Sequence, residues 1–372
     1  MNVGRVAEII ESIAPPAYAE SWDNVGLHVG SRCWAAQRVM LAIDLTAGVL
    51  QEAIDDGVQM IIAYHPLIFE PLKALSDASD KQRIALEAAG AGIAVHCPHT
   101  ALDAAPGGVN DWLAESLGPG DVRALQCHLT LPESEQFKIV TFCPPDAVDR
   151  LRNALASVGA GRVGDYELCS FELEGFGTFL GKAGAKPAVG QTGVFERVEE
   201  ARLEMVCPGA ALGLAVLTLR EFHPYEEPPV EIYKLQRRPQ RHIGVGRRVV
   251  LDQRTSLKQL VERVKARLGL AQVRVAVRPN TARRYRTIGV CAGAGGSLLE
   301  TVLEQGCEMY LTGELRHHDV LAAQARGCTV VLAGHSNTER GYLKRLREQL
   351  VSRLPGLSVT LSKRDADPLR VM

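Results

Sequence analysis

In GHSNTER (334–340) an imidazole and a carboxylate, His335 and Glu339, stand four residues apart directly behind the apolar run TVVLA. In a loop that opens a helix, two such groups can converge on one cation. Neutral imidazole with carboxylate suits Zn, Mn, Fe, Co or Ni better than Ca or a thiolate-seeking metal. Glu339 could equally serve only the positive end of the following helix, leaving His335 a plain loop residue. Three further clusters repeat the theme. His65 follows the run MIIAY, and Pro66 behind it imposes an extended turn that suits presentation of the ring to a cleft. His99 and Asp103 are again four residues apart, in a loop ahead of the helix VNDWLAESLG (109–118). A carboxylate there could bridge two metals, or simply order a turn. His96 lies inside its apolar run and reads as a packed histidine rather than a ligand. Glu314, His317 and His318 follow CEMYLTG and read as lining of the same cleft, in contact with ligands or substrate more than with metal.

The four clusters occupy the same place in a repeated layout: a helix-like run, a Gly, a short apolar run, then the polar residues. The stretches are 51–66, 86–103, 302–319 and 324–340. Each apolar run has the length of a buried strand bounded by turn signals. Strands alternating with helices build a parallel sheet, and such sheets collect ligands at the carboxyl ends of their strands. Two clusters precede residue 105 and two follow residue 313, so the site is assembled from distant parts of the chain.

Between them the pattern changes. FKIVTFCP (137–144) reads as a strand, 146–157 as an amphipathic helix, 166–181 as a hairpin with Gly-rich turns, and 197–208, 210–222 and 230–236 as strand, helix and strand. A β-α-β-β-α-β order suits a small ferredoxin-like module. Loop-like sequence at Gly118-Pro119-Gly120 and at Arg237-Arg238-Pro239 marks its edges. The expected organisation is a discontinuous α/β core domain, residues 1–125 and 240–372, carrying an inserted α+β domain, residues 126–239. SLKQLVERVKARLG (256–269) reads as an amphipathic helix capped by Thr255 or Ser256, and a helix opens at Ser336 or Asn337. The run Ala292–Gly296 joins a strand to a helix; it lacks the Lys and spacing of a P-loop and reads as a tight turn, with phosphate cradling the alternative. His223 in HPYEEPP opens a loop rim, Trp22, Asp23 and Asn24 are candidates for a cleft wall, and Asp365 and Asp367 carry no assignable chemistry.

Composition sets limits. With 42 Lys and Arg against 43 Asp and Glu, the net charge is −1, which offers no electrostatic capture of nucleic acid or an anionic membrane. Hydrophobic residues are 46% of the chain, as in ordinary soluble proteins. No apolar stretch reaches the roughly 18 residues of a spanning helix, and the amphipathic start lacks the features of a signal peptide. The nine cysteines are scattered and never form a Cys-x-x-Cys pair, which argues against a zinc ribbon or a disulfide framework and points to a reducing, cytoplasmic setting.

Six ordered motifs together carry a resemblance along nearly the whole chain. SWDNVGLHVG (21–30), IIAYHPLIF (61–69), PHTALDAAPGGVNDWLAESLG (98–118), TGELRHHD (312–319), GHSNTER (334–340) and SKRDADPL (362–369) resemble the NIF-three-like family, whose members are labelled GTP cyclohydrolase type 2 homologues or dinuclear-metal-centre hexameric proteins. DYELCSF (165–171), GTFLGKAGAKPAVG (177–190) and HPYEEPPVEIYKL (223–235) resemble the PII-like insert of its longer members. The resemblance implies one or two divalent cations per subunit, held by His65, Asp103, His335 and Glu339. It further implies a homohexamer, a small-molecule substrate and metal-dependent hydrolysis; a metal-delivery or regulatory protein without turnover is the alternative. At the first position of the family's His-His pair this chain has Tyr64. A neutral phenol, pKa about 10, is a poor ligand, so one cation loses a ligand or recruits His99 or water.

Overall fold

Runs such as MIIA (60–63) and TVVL (329–332) are buried along their whole length. That is the condition of a strand covered on both faces. The computed structural model describes residues 1–277 and 284–369. Among them are, in chain order, β1 (Gly26–Val29), β2 (Arg38–Ala42), β3 (Met60–Ala63), β4 (Ala94–Cys97), β5 (Gly120–Thr130), β6 (Phe137–Cys143), β7 (Phe171–Leu180), β8 (Phe195–Cys207), β9 (Val230–Lys234), β10 (Arg238–Ser256), β11 (Arg274–Ala276), β12 (Arg284–Ala294), β13 (Met309–Glu314), β14 (Thr329–Leu332) and β15 (Ser358–Leu361). The chain divides into two compact units, Met1–His128 with Gln240–Met372, and Leu129–Pro239.

The first unit is mixed α/β and holds two sheets. One runs β1-β4-β3-β2-β15 and the other β11-β14-β13-β12-β10-β5. In the first, β15, β2, β3 and β4 are parallel and β1 is antiparallel; in the second, β12, β13 and β14 are parallel. Side chains alternate across each strand. Val39, Leu41 and Ile62 of one sheet and Ile288, Val290 and Leu311 of the other share a single buried cluster, together with the helices Val3–Ile13, Leu257–Leu268 and Tyr342–Arg353. The opposite faces, Met40 and Ile61 in one sheet and Tyr310 and Val330 in the other, pack their own outer helices. The helix Leu257–Leu268 starts where its sequence predicts. Ser256 and Gln259 form a reciprocal capping box, and Gly269 ends the helix in the left-handed conformation.

The second unit is an antiparallel sheet, β7-β8-β6-β9, with helices Val148–Ser157 and Leu212–Phe222 on one face. Its element order is β-α-β-β-α-β. The hairpin differs from the expectation at 166–181. Phe171–Leu180 is one arm, paired along its length with Phe195–Glu204 of β8, so the turn lies beyond residue 180. Gly177, within the span read as a hairpin with Gly-rich turns, is paired with Val198 inside the ladder, and a Cβ there would meet the Glu200 carboxylate of β8.

Two further expectations are corrected. Asp103 is not in a loop but on a short helix, His99–Ala104, which places it one turn from His99 on the same face. Behind β14 there are two helices, Asn337–Arg340 and Tyr342–Arg353, and Ser336 makes no side-chain cap. Gly341 sits at the join, where a Cβ would strike the Trp112 ring. Among the described residues no helix is long and apolar enough to cross a membrane.

Candidate metal centre

Strands β3 and β14 end where His65 and His335 begin to matter. His65 Nε2 lies 3.5 Å from Glu339 Oε2, and His335 Nε2 lies 3.3 Å from Glu339 Oε1. One ligand atom from each of the three residues falls within 4.8 Å of the others. Both contacts are longer than a good N–H···O bond of about 2.9–3.0 Å. Glu339 is only 3% exposed, and its Oε2 is buried without a hydrogen-bond donor. An orphaned buried carboxylate oxygen is costly unless a cation or a donor faces it.

Space for the cluster is made by glycine. Gly293, at φ +63, follows the regular part of β12, and a Cβ there would lie 2.5 Å from Glu339 Oε1 and 3.2 Å from His335 Nε2. A Cβ on Gly313 would come within 2.8 Å of the His335 Cα. Gly293 N donates to Thr338 Oγ1 at 2.8 Å, which ties the turn to the helix that carries Glu339. The run 292–296 is thus not all turn, as its sequence suggested: its first three residues end β12, and Gly293 lets that backbone approach a carboxylate and an imidazole.

Each imidazole has its other nitrogen anchored. His65 Nδ1 meets Asp44 Oδ1 at 2.9 Å, His335 Nδ1 meets Glu314 Oε1 at 3.0 Å, and His99 Nδ1 meets Asp23 Oδ1 at 2.8 Å. A carboxylate on Nδ1 fixes the tautomer and aims Nε2, the arrangement found behind metal-bound histidines. Burial works to lower the His65 pKa, but its bond to Asp44 and the nearby charges of Glu339 and Asp44 raise it to about 10. The bond from His65, aided by Arg340 and His335, holds Asp44 below the usual carboxylate range against burial. For Asp23, burial pushes up, but bonds from His99 and Thr100 outweigh it and the carboxyl is lowered.

Tyr64 is buried, and burial with the nearby charges of Asp103 and Glu339 lifts its phenol well above 10.0. It stays a neutral donor, and its hydroxyl donates a short hydrogen bond to Asp103 Oδ1. Burial raises the Asp103 pKa to about 6, partly opposed by the charge of His99 and the Tyr64 bond. Asp103 stands beside the trio rather than within it. Ring centroids connect the two halves: His99 is 5.7 Å from Tyr64 and 5.6 Å from His65, and His65 is 5.4 Å from His335. His99 has a left-handed φ of +24, rare for a residue with a side chain. Asn110 bridges the halves, donating to Asp103 O at 3.1 Å and accepting from Ala292 N at 2.8 Å.

The third sequence cluster divides. Glu314 joins the centre through His335, whereas His317 and His318 are exposed on the first turn of the helix His317–Ala325 and meet edge to face, ring centroids 5.7 Å apart. His96 is buried with neither ring nitrogen hydrogen-bonded, and burial drives its pKa down to about 3, so it packs as a neutral ring. Asp365 accepts from Ile43 N at 2.8 Å and pairs with Arg340, pinning the C-terminal segment to the exit of β2. Asp44 escaped sequence reasoning. Its signal was positional: Ala42 of β2 and Ala63 of β3 are in register, so Asp44 and His65, each two residues on, leave neighbouring strands side by side.

A family profile for Duf34/NIF3 (NGG1p interacting factor 3) matches residues 1–368. The chain is 32% identical over 371 residues to the GTP cyclohydrolase 1 type 2 homolog of Bacillus subtilis (strain 168), covering 99% of this chain and 98% of that protein. It is 34% identical over 376 residues to NIF3-like protein 1 of Rattus norvegicus, covering 100% and 93%. Among solved structures, a Bacillus cereus protein related to NIF3 superposes with a TM-score of 0.68 at 31% identity, covering 100% of this chain and 99% of that one. Staphylococcus aureus protein SA1388 superposes with a TM-score of 0.76 at 25% identity, covering 100% and 99%. This chain belongs to the Duf34/NIF3 family.

Proposed function

We propose that the chain binds a divalent cation between His65, His335 and Glu339 and uses it to hydrolyse a small molecule. The observation that carries the reading is Glu339: a buried carboxylate with an oxygen lacking any donor, facing two imidazoles whose far nitrogens are anchored by Asp44 and Glu314. The donor set fits Zn, Mn, Fe, Co or Ni. A bound cation of this kind lowers the pKa of a water ligand and polarises an oxygen of the substrate. The protein's own part is orientation and proton handling. Asp44 and Glu314 aim the rings, Tyr64 holds Asp103, and His99, backed by Asp23, offers Nε2 for a proton beside the centre.

A second cation would need Asp103, and it would compete with the Tyr64 hydroxyl for one carboxylate oxygen. We therefore propose one firmly held cation and a second, weaker one. The relatives called GTP cyclohydrolase 1 type 2 homolog make hydrolytic opening of a purine ring the first activity to test. Metal analysis of purified wild type and His335→Ala should show at least one equivalent in the former and little in the latter; equal content in both would sink the site. Metal-loaded protein incubated with GTP should release formate above a His65→Ala control. No release with Zn, Mn, Fe or Co, at full metal occupancy, would favour metal binding or delivery without turnover.

A further inference from the structure

The turn behind β12 and the segment behind β13 enclose a cavity of about 750 Å³, walled by Ala294, Gly296, Ser297, Glu314, Arg316 and Asp319. The two strands are parallel neighbours, so the cavity lies at carboxyl strand ends, where α/β sheets take ligands. Its volume is in the range of small-molecule sites, about 300–1,000 Å³. The wall is held in place. Gly295 is pressed against β13, where a Cβ would collide with Tyr310 Oη and Thr312 Oγ1, and Tyr310 Oη donates to Gly295 O at 2.7 Å. Gly295 N donates to Glu314 O at 3.2 Å.

The polar groups on this wall are unspent. Among the described residues, the side chains of Ser297, Arg316 and Asp319 make no hydrogen bond or ion pair. Other arginines of this unit are paired with carboxylates, as Arg247 is with Asp111 and Arg340 with Asp365. Glu314 spends one oxygen on His335 and presents its carboxylate to the cavity, so the cavity and the metal centre share a wall.

We infer that this cavity binds a small phosphate ester bearing hydroxyl groups, its phosphate on Arg316 and Ser297 and its hydroxyls on Asp319 and Glu314. A guanidinium fork matches phosphate oxygens two at a time. Ionised carboxylates only accept, so they favour a ligand that brings O–H donors and disfavour a bare anion. The placement deepens the metal-dependent reading by delivering such a ligand to the His335 side of the centre, and it rests on that reading for the chemistry but not for the binding.

Calorimetric titration of ribose 5-phosphate and of inorganic phosphate into wild type, Arg316→Met and Asp319→Asn tests it, with metal content measured on the same samples. Wild type should bind ribose 5-phosphate more tightly than phosphate. Arg316→Met should weaken the ester about tenfold or more, one full charge-assisted contact. Asp319→Asn should weaken the ester and leave inorganic phosphate no weaker. Absence of ribose 5-phosphate binding to wild type, or equal affinity in all three proteins, would overturn the inference. Neither substituted residue touches His65, His335 or Glu339, so metal content should match wild type throughout. A wild type that binds the ester but holds no metal would refute the metal reading and leave the cavity's assignment standing.

Discussion

A histidine that meets a cation through Nε2 must have its other nitrogen held, and Asp44 does this for His65 at 2.9 Å. Replacing the charge while keeping the shape isolates that role. Asp44→Asn should keep the fold and weaken metal affinity by about 10–100-fold, read by competition with a chromophoric chelator; unchanged affinity would make the contact incidental. His65, His335 and Glu339 were legible because imidazole and carboxylate at strand exits are uncommon without a purpose. Asp44 was not, because a carboxylate just past a strand looks like any turn residue until the register of β2 and β3 is known. Tyr64 was visible as a departure from the family's pair. Its consequence was not, since the hydroxyl's partner, Asp103, arrives only through folding, 39 residues along the chain.

At the scale of elements, the buried strands and the long helices were readable from periodicity and caps, and the errors fell where a local signal had another cause. Gly177 looked like a turn but clears space for a cross-strand carboxylate. The helix His99–Ala104 is six residues long, too short to print a helical period, and begins at a residue with positive φ. The C-terminal SKRDADPL run also had no readable role. It proves to be stapled to the first sheet's outer helix: Glu52, on Ala47–Asp55, accepts from Ser362 Oγ at 2.6 Å, Lys363 N at 2.9 Å and Arg364 N at 3.1 Å. Burial pushes the Glu52 carboxyl up, but these bonds and the Arg364 charge win and lower it from 4.5. A folded-state pKa below the unfolded value stabilises fully above the unfolded value, and the contribution is lost as pH falls through the folded one. Glu52→Gln should therefore cost about 1–2 kcal/mol at pH 7. The gap to wild type in denaturant titrations should shrink as the pH drops below 4.5, the ordinary value for this carboxyl. A gap independent of pH would mean that packing, not charge, holds the segment.

For the whole molecule, every residue of the candidate metal centre belongs to the unit Met1–His128 with Gln240–Met372. The chain leaves that unit along β5 and returns along β10, and these strands are hydrogen-bonded neighbours at one end of the second sheet. Exit and re-entry are thus side by side, and a short connection can replace everything between them. The second unit keeps its own core of Ile139, Leu151, Leu203, Met205 and Leu219, so removing it takes no apolar contact from the cluster shared by the two sheets. Loop-closure cost rises only slowly with length, so a Gly-Ser linker of a few residues should close the gap without strain. A chain joining His128 to Gln240 in this way should fold cooperatively, bind as much metal per chain as the full protein, and lose that metal on His335→Ala. Circular dichroism with metal analysis decides the matter. A linked core that folds but holds no metal would show that the second unit completes the centre, and the three-residue cluster alone would no longer account for binding.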